Sequence, residues 1–200
     1  GGCHLNGGYL VLLEGLALNL DPLTTNSKAA LTVLFQNIME AASAGGSCLF
    51  TCYLAMPAFM LKNANSWVTR TLNKSLTCFS SLMAVIAKMP AWMMPFHFPG
   101  LWHTQALTQV TGMKMTFGRF KEIGERGYNL ERMFNVKRGV TEADDALPER
   151  LTDKPQDPRI PKSKVPLESL KKDYYNIRGW DENGLPKKEK LAKLGIEGVG

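Results

Sequence analysis

Four cysteines and three histidines are the side chains of this 200-residue sequence best suited to metal binding or proton transfer. Cys48 is the foremost of them. It follows Ser43-Ala44-Gly45-Gly46-Ser47, at a break between two helical segments. A helix junction exposes backbone N–H groups to an anionic ligand or a cluster sulfur, and paired glycines let a bulky group approach. A thiolate there is placed to ligate a metal. A free cysteine is equally suited to fill space as a small hydrophobe, and spacing alone favours that role. Cys52, one turn later, and Cys78, in an apolar helix, read as space-filling.

His4 lies in a glycine-rich loop, GGCHLNGG, over residues 1–8. A neutral imidazole can give or take a proton at a reacting centre, and the glycines leave room for a substrate. The local sequence suits a backbone-bonded loop histidine at least as well. Cys3 adjoins His4, but neighbouring side chains rarely converge on one metal. His97 and His103 fall in an aromatic stretch, where packing and a pocket wall are both open. Glu14 stands in an apolar run and reads as solvent-facing or base-paired. Asp144-Asp145 could hold a hard cation, although a short acidic pair in a polar stretch is ordinarily solvated.

The elements that must position these groups read as helices. Asn26 or Ser27 caps a helix over 27–43, whose apolar residues follow the 3.6-residue period until Gly45-Gly46. The pattern predicts further helices over 48–62, 66–88, 116–137, 167–178 and 187–194, with an apolar segment from Tyr9 to Leu20. Residues 90–104 hold three prolines among aromatics and read as a loop. Residues 141–166, with five prolines, read as an extended surface arm. No segment has the strict alternation of a strand. The fold class is therefore all-α, with irregular connections and a long Pro-rich surface arm.

The formal charge is +6, unevenly distributed. Residues 1–112 carry only five Lys/Arg and three Asp/Glu, whereas residues 113–200 carry nineteen and fifteen. Acids and bases are interleaved, which argues against nucleic-acid binding. No apolar run approaches the ~18 residues of a membrane span. The nearly uncharged first half needs more burial than one small domain supplies, so a partner surface is expected to cover it. Gly1-Gly2-Cys3-His4 reads as the inside of a loop, and the chain is expected to begin within a longer polypeptide. Without a secretion signal, free thiols in a reducing cytoplasm are expected.

Several motifs, in order, resemble those of the tungsten-containing aldehyde ferredoxin oxidoreductases. Gly1-Gly2-Cys3-His4-Leu5 is similar to that family's loop of arginine, glycine, any residue, cysteine and histidine. Gly46-Ser47-Cys48-Leu49-Phe50 is similar to the segment holding its last cluster cysteine. Gly124-Glu125-Arg126 with Asn129-Leu130-Glu131-Arg132-Met133-Phe134-Asn135 is the clearest match. Asp144-Asp145, Leu147-Pro148-Glu149-Arg150, Asp173-Tyr174-Tyr175, Arg178-Gly179-Trp180-Asp181, Gly184 and Pro186 follow in the expected order. The resemblance covers essentially the whole chain.

The resemblance implies a C-terminal domain over 1–200, with the N-terminal pterin-binding and middle domains missing. It implies oxidation of aldehydes to carboxylic acids with ferredoxin as electron acceptor. It implies a tungsten bis-pterin and a 4Fe-4S cluster, with Cys48 as the fourth cluster ligand and three cysteines supplied by an absent domain. His4 would match the histidine near tungsten, and Ser43, Gly46 and Ser47 would contact the pterin. The family pattern has an aspartate five residues before the cysteine and a leucine just before it; Ser43 and Ser47 stand there instead. A serine hydroxyl can hydrogen-bond the pterin but brings no charge, which is consistent with a subgroup acting on another substrate, such as an aromatic thioester. The isolated chain is expected to be inactive. A homodimer is a further expectation. The competing reading is a helical interaction module, or a remnant that has lost cofactor chemistry.

Overall fold

In the computed structural model, residues 20–48, 51, 62–98 and 101–198 are described. Among them are eight α-helices and three short 3-10 turns, with isolated bridges at Asp157–Ile160 and Trp180–Pro186 in place of strands. The expected all-α class is what is found. No helix among the described residues is long and apolar enough to cross a membrane.

Helix α1 (Lys28–Ala44) is the central element. Ala30, Val33, Asn37, Met39 and Ala41 are buried along it, so the helix is covered on more than one side. The Ser27 hydroxyl expected to cap it does not. Ser27 adopts φ 63° and donates its hydroxyl to the Leu76 carbonyl, tying the start of α1 to α2 (Trp67–Cys78). Ser66, by contrast, caps α2 by accepting from the Thr69 N–H at 3.2 Å.

The single helix expected over 66–88 is two. It breaks at Phe79 (φ −100°, ψ 45°), after which α3 (Ser80–Lys88) begins. The Thr77 hydroxyl donates to the carbonyls of Asn73 and Lys74 at 3.0 and 3.1 Å, competing with the helical ladder one turn before the break. Ser80 and Ser81 follow, both weak helix formers. Cys78, expected to fill space, is exposed at the break.

The aromatic stretch is irregular as expected, with one 3-10 turn at Ala91–Met93. Phe96 and Phe98 lie against Phe117, with ring centroids 5.7 and 5.4 Å apart. The stretch ends sooner than expected. Helix α4 (His103–Thr111) starts at its second histidine, in a sequence whose three threonines and one valine dilute the helical signal of Gln105, Ala106, Leu107 and Gln109.

Helix α5 (Phe117–Lys137) is capped by Thr116, whose hydroxyl accepts from the Arg119 N–H at 3.2 Å. Its buried face joins α1 around Ile38, Met39, Ala42, Phe117 and Phe120. The two helices meet backbone to backbone. A Cβ on Gly124 would sit 1.7 Å from the Asn37 carbonyl oxygen and 3.0 Å from the Ala41 nitrogen. Gly118 likewise abuts the preceding turn, where a Cβ would sit 2.1 Å from the Ala91 carbonyl oxygen. Lys121, on the same helix, is 1% exposed. Its ammonium donates to the carbonyls of Ala87 and Met89 at 2.8 and 2.7 Å, closing the C-terminus of α3. Burial pulls its pKa down to about 8, against a partial counter-pull from Glu125.

The proline-rich segment over 141–166 is not extended. It holds 3-10 turns at Glu142–Asp144 and Pro161–Ser163 and the four-residue helix α6 (Glu149–Thr152). Proline fixes φ near the helical value, so Pro148 and Pro161 start turns rather than preventing them. The Val165 N–H donates to the Leu151 carbonyl at 3.0 Å, folding the segment back on itself. Helices α7 (Leu167–Arg178) and α8 (Lys188–Leu194) complete the described fold, with α7 also packed on α1.

Gly124→Ala is expected to lower the unfolding free energy by about 3 kcal/mol, because the added carbon meets backbone that cannot move aside. Gly127→Ala, whose Cβ would meet only the flexible Glu40 side chain, is expected to cost less than about 1 kcal/mol because helix propensity offsets the crowding. Chemical denaturation of both variants checks this. Lys121 has its own signature. Its folded pKa lies below the ordinary 10.5, so the unfolded chain holds more protons between about pH 8 and 10.5. Stability relative to Lys121→Met is therefore expected to rise with pH across that window, measured by denaturation at pH 7.5 and pH 10.

Candidate ligand site at the end of the first helix

Helix α1 ends by the chain turning back over its own last carbonyls. The Ser47 N–H donates to the Ala42 carbonyl at 2.9 Å and the Gly46 N–H to the Ser43 carbonyl at 3.0 Å. Gly46 sits at φ +77°, the left-handed position that this glycine-terminated stop requires. Its role in the fold is thus helix termination. The Gly45 N–H is also used, donating to Ala41. The N–H groups of residues 45–47 therefore point back into the helix, not outward to an anion as the sequence suggested. The helix end is a C-terminus, which carries partial negative charge and favours cations.

Immediately after this stop comes Cys48, a free and exposed thiol. The space-filling role favoured by spacing does not hold. Ser43 and Gly46 are exposed beside it, Ser47 is half-buried, and a Cβ on Gly46 would meet nothing within 4 Å. The four residues proposed from the sequence to touch a cofactor thus share one open turn. His4, Cys3, Glu14, Cys52 and the rest of the expected 48–62 helix apart from Cys48, Thr51 and Lys62 lie outside the described residues, so the pairing of His4 with Cys48 rests on the sequence. No group of three or more His, Cys, Asp or Glu suited to a metal ion occurs among the described residues.

The Cys48 carbonyl accepts twice from Thr51, from its N–H at 3.0 Å and its hydroxyl at 2.6 Å. The Thr51 oxygen in turn lies 2.7 Å from His103 Nε2. Leu107, one turn along α4 from His103, closes over Gly45, where a Cβ would come within 3.3 Å of it. The unforeseen helix α4 is therefore what braces the end of α1. His103 also stands 6.1 Å from Phe120, centroid to centroid, and burial lowers its pKa. Its Nδ1 is buried and has no hydrogen-bond partner. His97 is spent differently, with Nδ1 3.1 Å from the Thr104 hydroxyl.

The ordered motifs of the second half form a separate, structural network. Arg132 grips Asp145 through two parallel bonds of 3.0 and 2.7 Å, donates to the Gly184 carbonyl at 2.8 Å and lies 5.0 Å from the Trp180 ring. The Tyr175 hydroxyl donates to the same Asp145 carboxylate, and burial with this bond raises the tyrosine pKa. Trp180 donates to Asn129 at 2.8 Å, and Asn129 to the Glu125 carbonyl at 2.7 Å. Glu125 pairs with Lys190. Arg178, fully buried, donates to Asn37 and Gln36 at 2.6 and 2.7 Å and lies 4.0 Å from the Tyr128 ring. The Asp144-Asp145 pair, read from the sequence as solvated, is divided between two tasks. Asp144 accepts from the Thr141 N–H and hydroxyl, which lowers its pKa, and Asp145 holds Arg132.

An irregular helical domain, an exposed cysteine at a glycine-stopped helix end, and interlocking ordered motifs define the class. The family model described as "Aldehyde ferredoxin oxidoreductase, domains 2 & 3" matches residues 1–196. The chain belongs to the aldehyde ferredoxin oxidoreductase family. It is 29% identical over 202 residues to a tungsten-containing aldehyde ferredoxin oxidoreductase of Pyrococcus furiosus, and 29% over 206 residues to one of Pyrococcus abyssi. A protein of the same name from Thermococcus kodakarensis is 28% identical over 205 residues. Each alignment covers 98% of this chain and 26% of the relative, so the chain spans about a quarter of their length.

Arg132→Met is expected to destabilise the fold by about 3 kcal/mol, because it leaves Asp145 and the Gly184 carbonyl without their donor. Arg132→Lys should recover less than half of that, since an ammonium cannot reproduce the paired bonds. Denaturation midpoints of the two variants test the ranking.

Proposed function

We propose that this chain supplies the C-terminal part of a tungstopterin, iron–sulfur oxidoreductase that converts aldehydes to carboxylic acids and passes the electrons to ferredoxin. The observation that carries the proposal is the position of Cys48: a free, exposed thiol just beyond a helix stop, in a chain of this family. The residues suit the cofactors in specific ways. A thiolate at Cys48 can ligate iron without first breaking a buried contact. The bare Gly46 backbone leaves space above the turn, and the Ser43 and Ser47 hydroxyls are hydrogen-bonding groups for a pterin ring. A tungsten–pterin centre supplies Lewis acidity and a two-electron sink, and a cluster relays single electrons.

The chain's own residues would do the holding and the proton handling. Cys48 would be the fourth cluster ligand, with the other three thiolates from elsewhere in the intact enzyme. His4 would orient the aldehyde or move a proton beside it, a role that rests on the family motif. Ser43 in place of the family aspartate removes a charge from the pterin edge. The enzyme would work in the cytoplasm, with the nearly uncharged first half of this chain buried against other domains. Trp67 and Trp92, each 77% exposed among the described residues, are in keeping with such a covered surface.

Exposure does not separate Cys48 from Cys78, since both thiols are free and accessible. Their roles should. In the intact enzyme purified without oxygen, Cys48→Ser is expected to lose most of its cluster iron, while Cys78→Ser keeps it. Equal iron content in the two variants would remove Cys48 from the ligand set.

A further inference from the structure

We infer that Thr51 and His103 are positioning residues for the Cys48 thiolate, acting through the Cys48 carbonyl. The inference rests on the reading of Cys48 as a cluster ligand and adds what controls it. The three residues form one chain of hydrogen bonds that links segments far apart in sequence: His103 Nε2 to Thr51 Oγ1 at 2.7 Å, and Thr51 Oγ1 to the Cys48 carbonyl at 2.6 Å.

The proton inventory gives this chain a direction. A threonine hydroxyl has one hydrogen. The Cys48 carbonyl has no hydrogen to give, so at 2.6 Å the hydroxyl must donate to it. The bond between His103 and Thr51 must then be donated by Nε2–H. Neutral imidazole carries one N–H, so Nδ1 is a bare acceptor, matching its lack of any partner. All the dipoles in the chain therefore point their positive ends at the peptide of Cys48. The histidine is held in place by Phe120 and by its position at the first turn of α4.

Two consequences follow. Two hydrogen bonds to its carbonyl hold the backbone of Cys48 itself, and so restrict the direction in which its sulfur leaves the helix end. The aligned dipoles also favour added negative charge on whatever the sulfur ligates, which for a cluster means easier reduction. This offsets the unfavourable negative end of α1 beside which the thiolate must sit. Neither residue touches the reacting atoms.

The test uses the intact, metal-loaded enzyme purified without oxygen. The probes are iron content, the electron paramagnetic resonance spectrum of the reduced cluster, and its midpoint potential. Thr51→Val removes the hydroxyl at nearly constant shape, and His103→Phe keeps the ring but not the donor. Each is expected to retain iron, alter the spectrum, and make one-electron reduction about threefold less favourable, a shift of about half of 59 mV. Thr51→Ser and His103→Gln, which restore the hydroxyl and a donor, should return both readings toward the parent. Unchanged spectra and potentials in Thr51→Val would overturn the inference, even if His103→Phe fails to fold. Loss of iron in Cys48→Ser alongside that result would leave the ligand assignment standing. Retention of iron in Cys48→Ser would instead defeat both.

Discussion

The contact between the backbone of α5 at Gly124 and the backbone of α1 at Asn37 is the constraint on which the rest of the structure depends. Two helices that meet without side chains between them have little freedom to slide or rotate, since any shift drives atoms into overlap. The hydrophobic cluster around Met39, Ala42 and Phe120 then fills the remaining space on either side. With α5 fixed, Lys121 reaches the end of α3 and Gly118 receives the turn at Ala91. The aromatic stretch is held in turn, by bonds from Phe117 and Gly118 to the carbonyls of Phe96 and Met94.

The same arrangement sets where the end of α1 emerges. The helix core is immobilised at Asn37 by the Gly124 contact and by Arg178, which enters from α7. The polar network of Arg132, Asp145, Tyr175, Asn129 and Trp180 keeps α5, α7 and the proline-rich segment together. A buried guanidinium is costly unless nearly all its donors are used, so this network is all-or-none in character. The rigid base it creates lets the last turn of α1 be short, glycine-stopped and open, with the thiol of Cys48 outside. The ligand role proposed for Cys48 would draw its precision from such support and not from the loop alone.

Much of this was legible in the residues. The 3.6-residue stripe of α1, its Gly45-Gly46 stop and the helical pattern over 116–137 gave the two central elements to within a residue or so. The ordered motifs gave the family. Three features were hidden for separate reasons. Helix α4 is short and follows directly on the proline-rich aromatic stretch, so its few helix formers did not stand out from that loop, and its packing of Leu107 over Gly45 and His103 near Phe120 is a tertiary matter. The break at Phe79 came with a threonine back-bond and two serines inside what reads as one helical pattern. The proline-rich segment looked extended because prolines were counted as breakers, when several of them begin turns.

At the site, local sequence located Cys48 and its neighbours but misjudged the environment of the sulfur and the direction of the N–H groups around it. The amino-acid sequence by itself determined the all-α class, the register of the main helices and the descent of the chain, because these depend on short-range periodicity and on which residues stand in order. Only the tertiary structure decided that the thiol is exposed, that Asp144 and Asp145 do different work, and that His103 reaches Thr51 across 52 residues of chain. Those outcomes depend on which distant groups share a desolvated space, and nothing in local spacing specifies that.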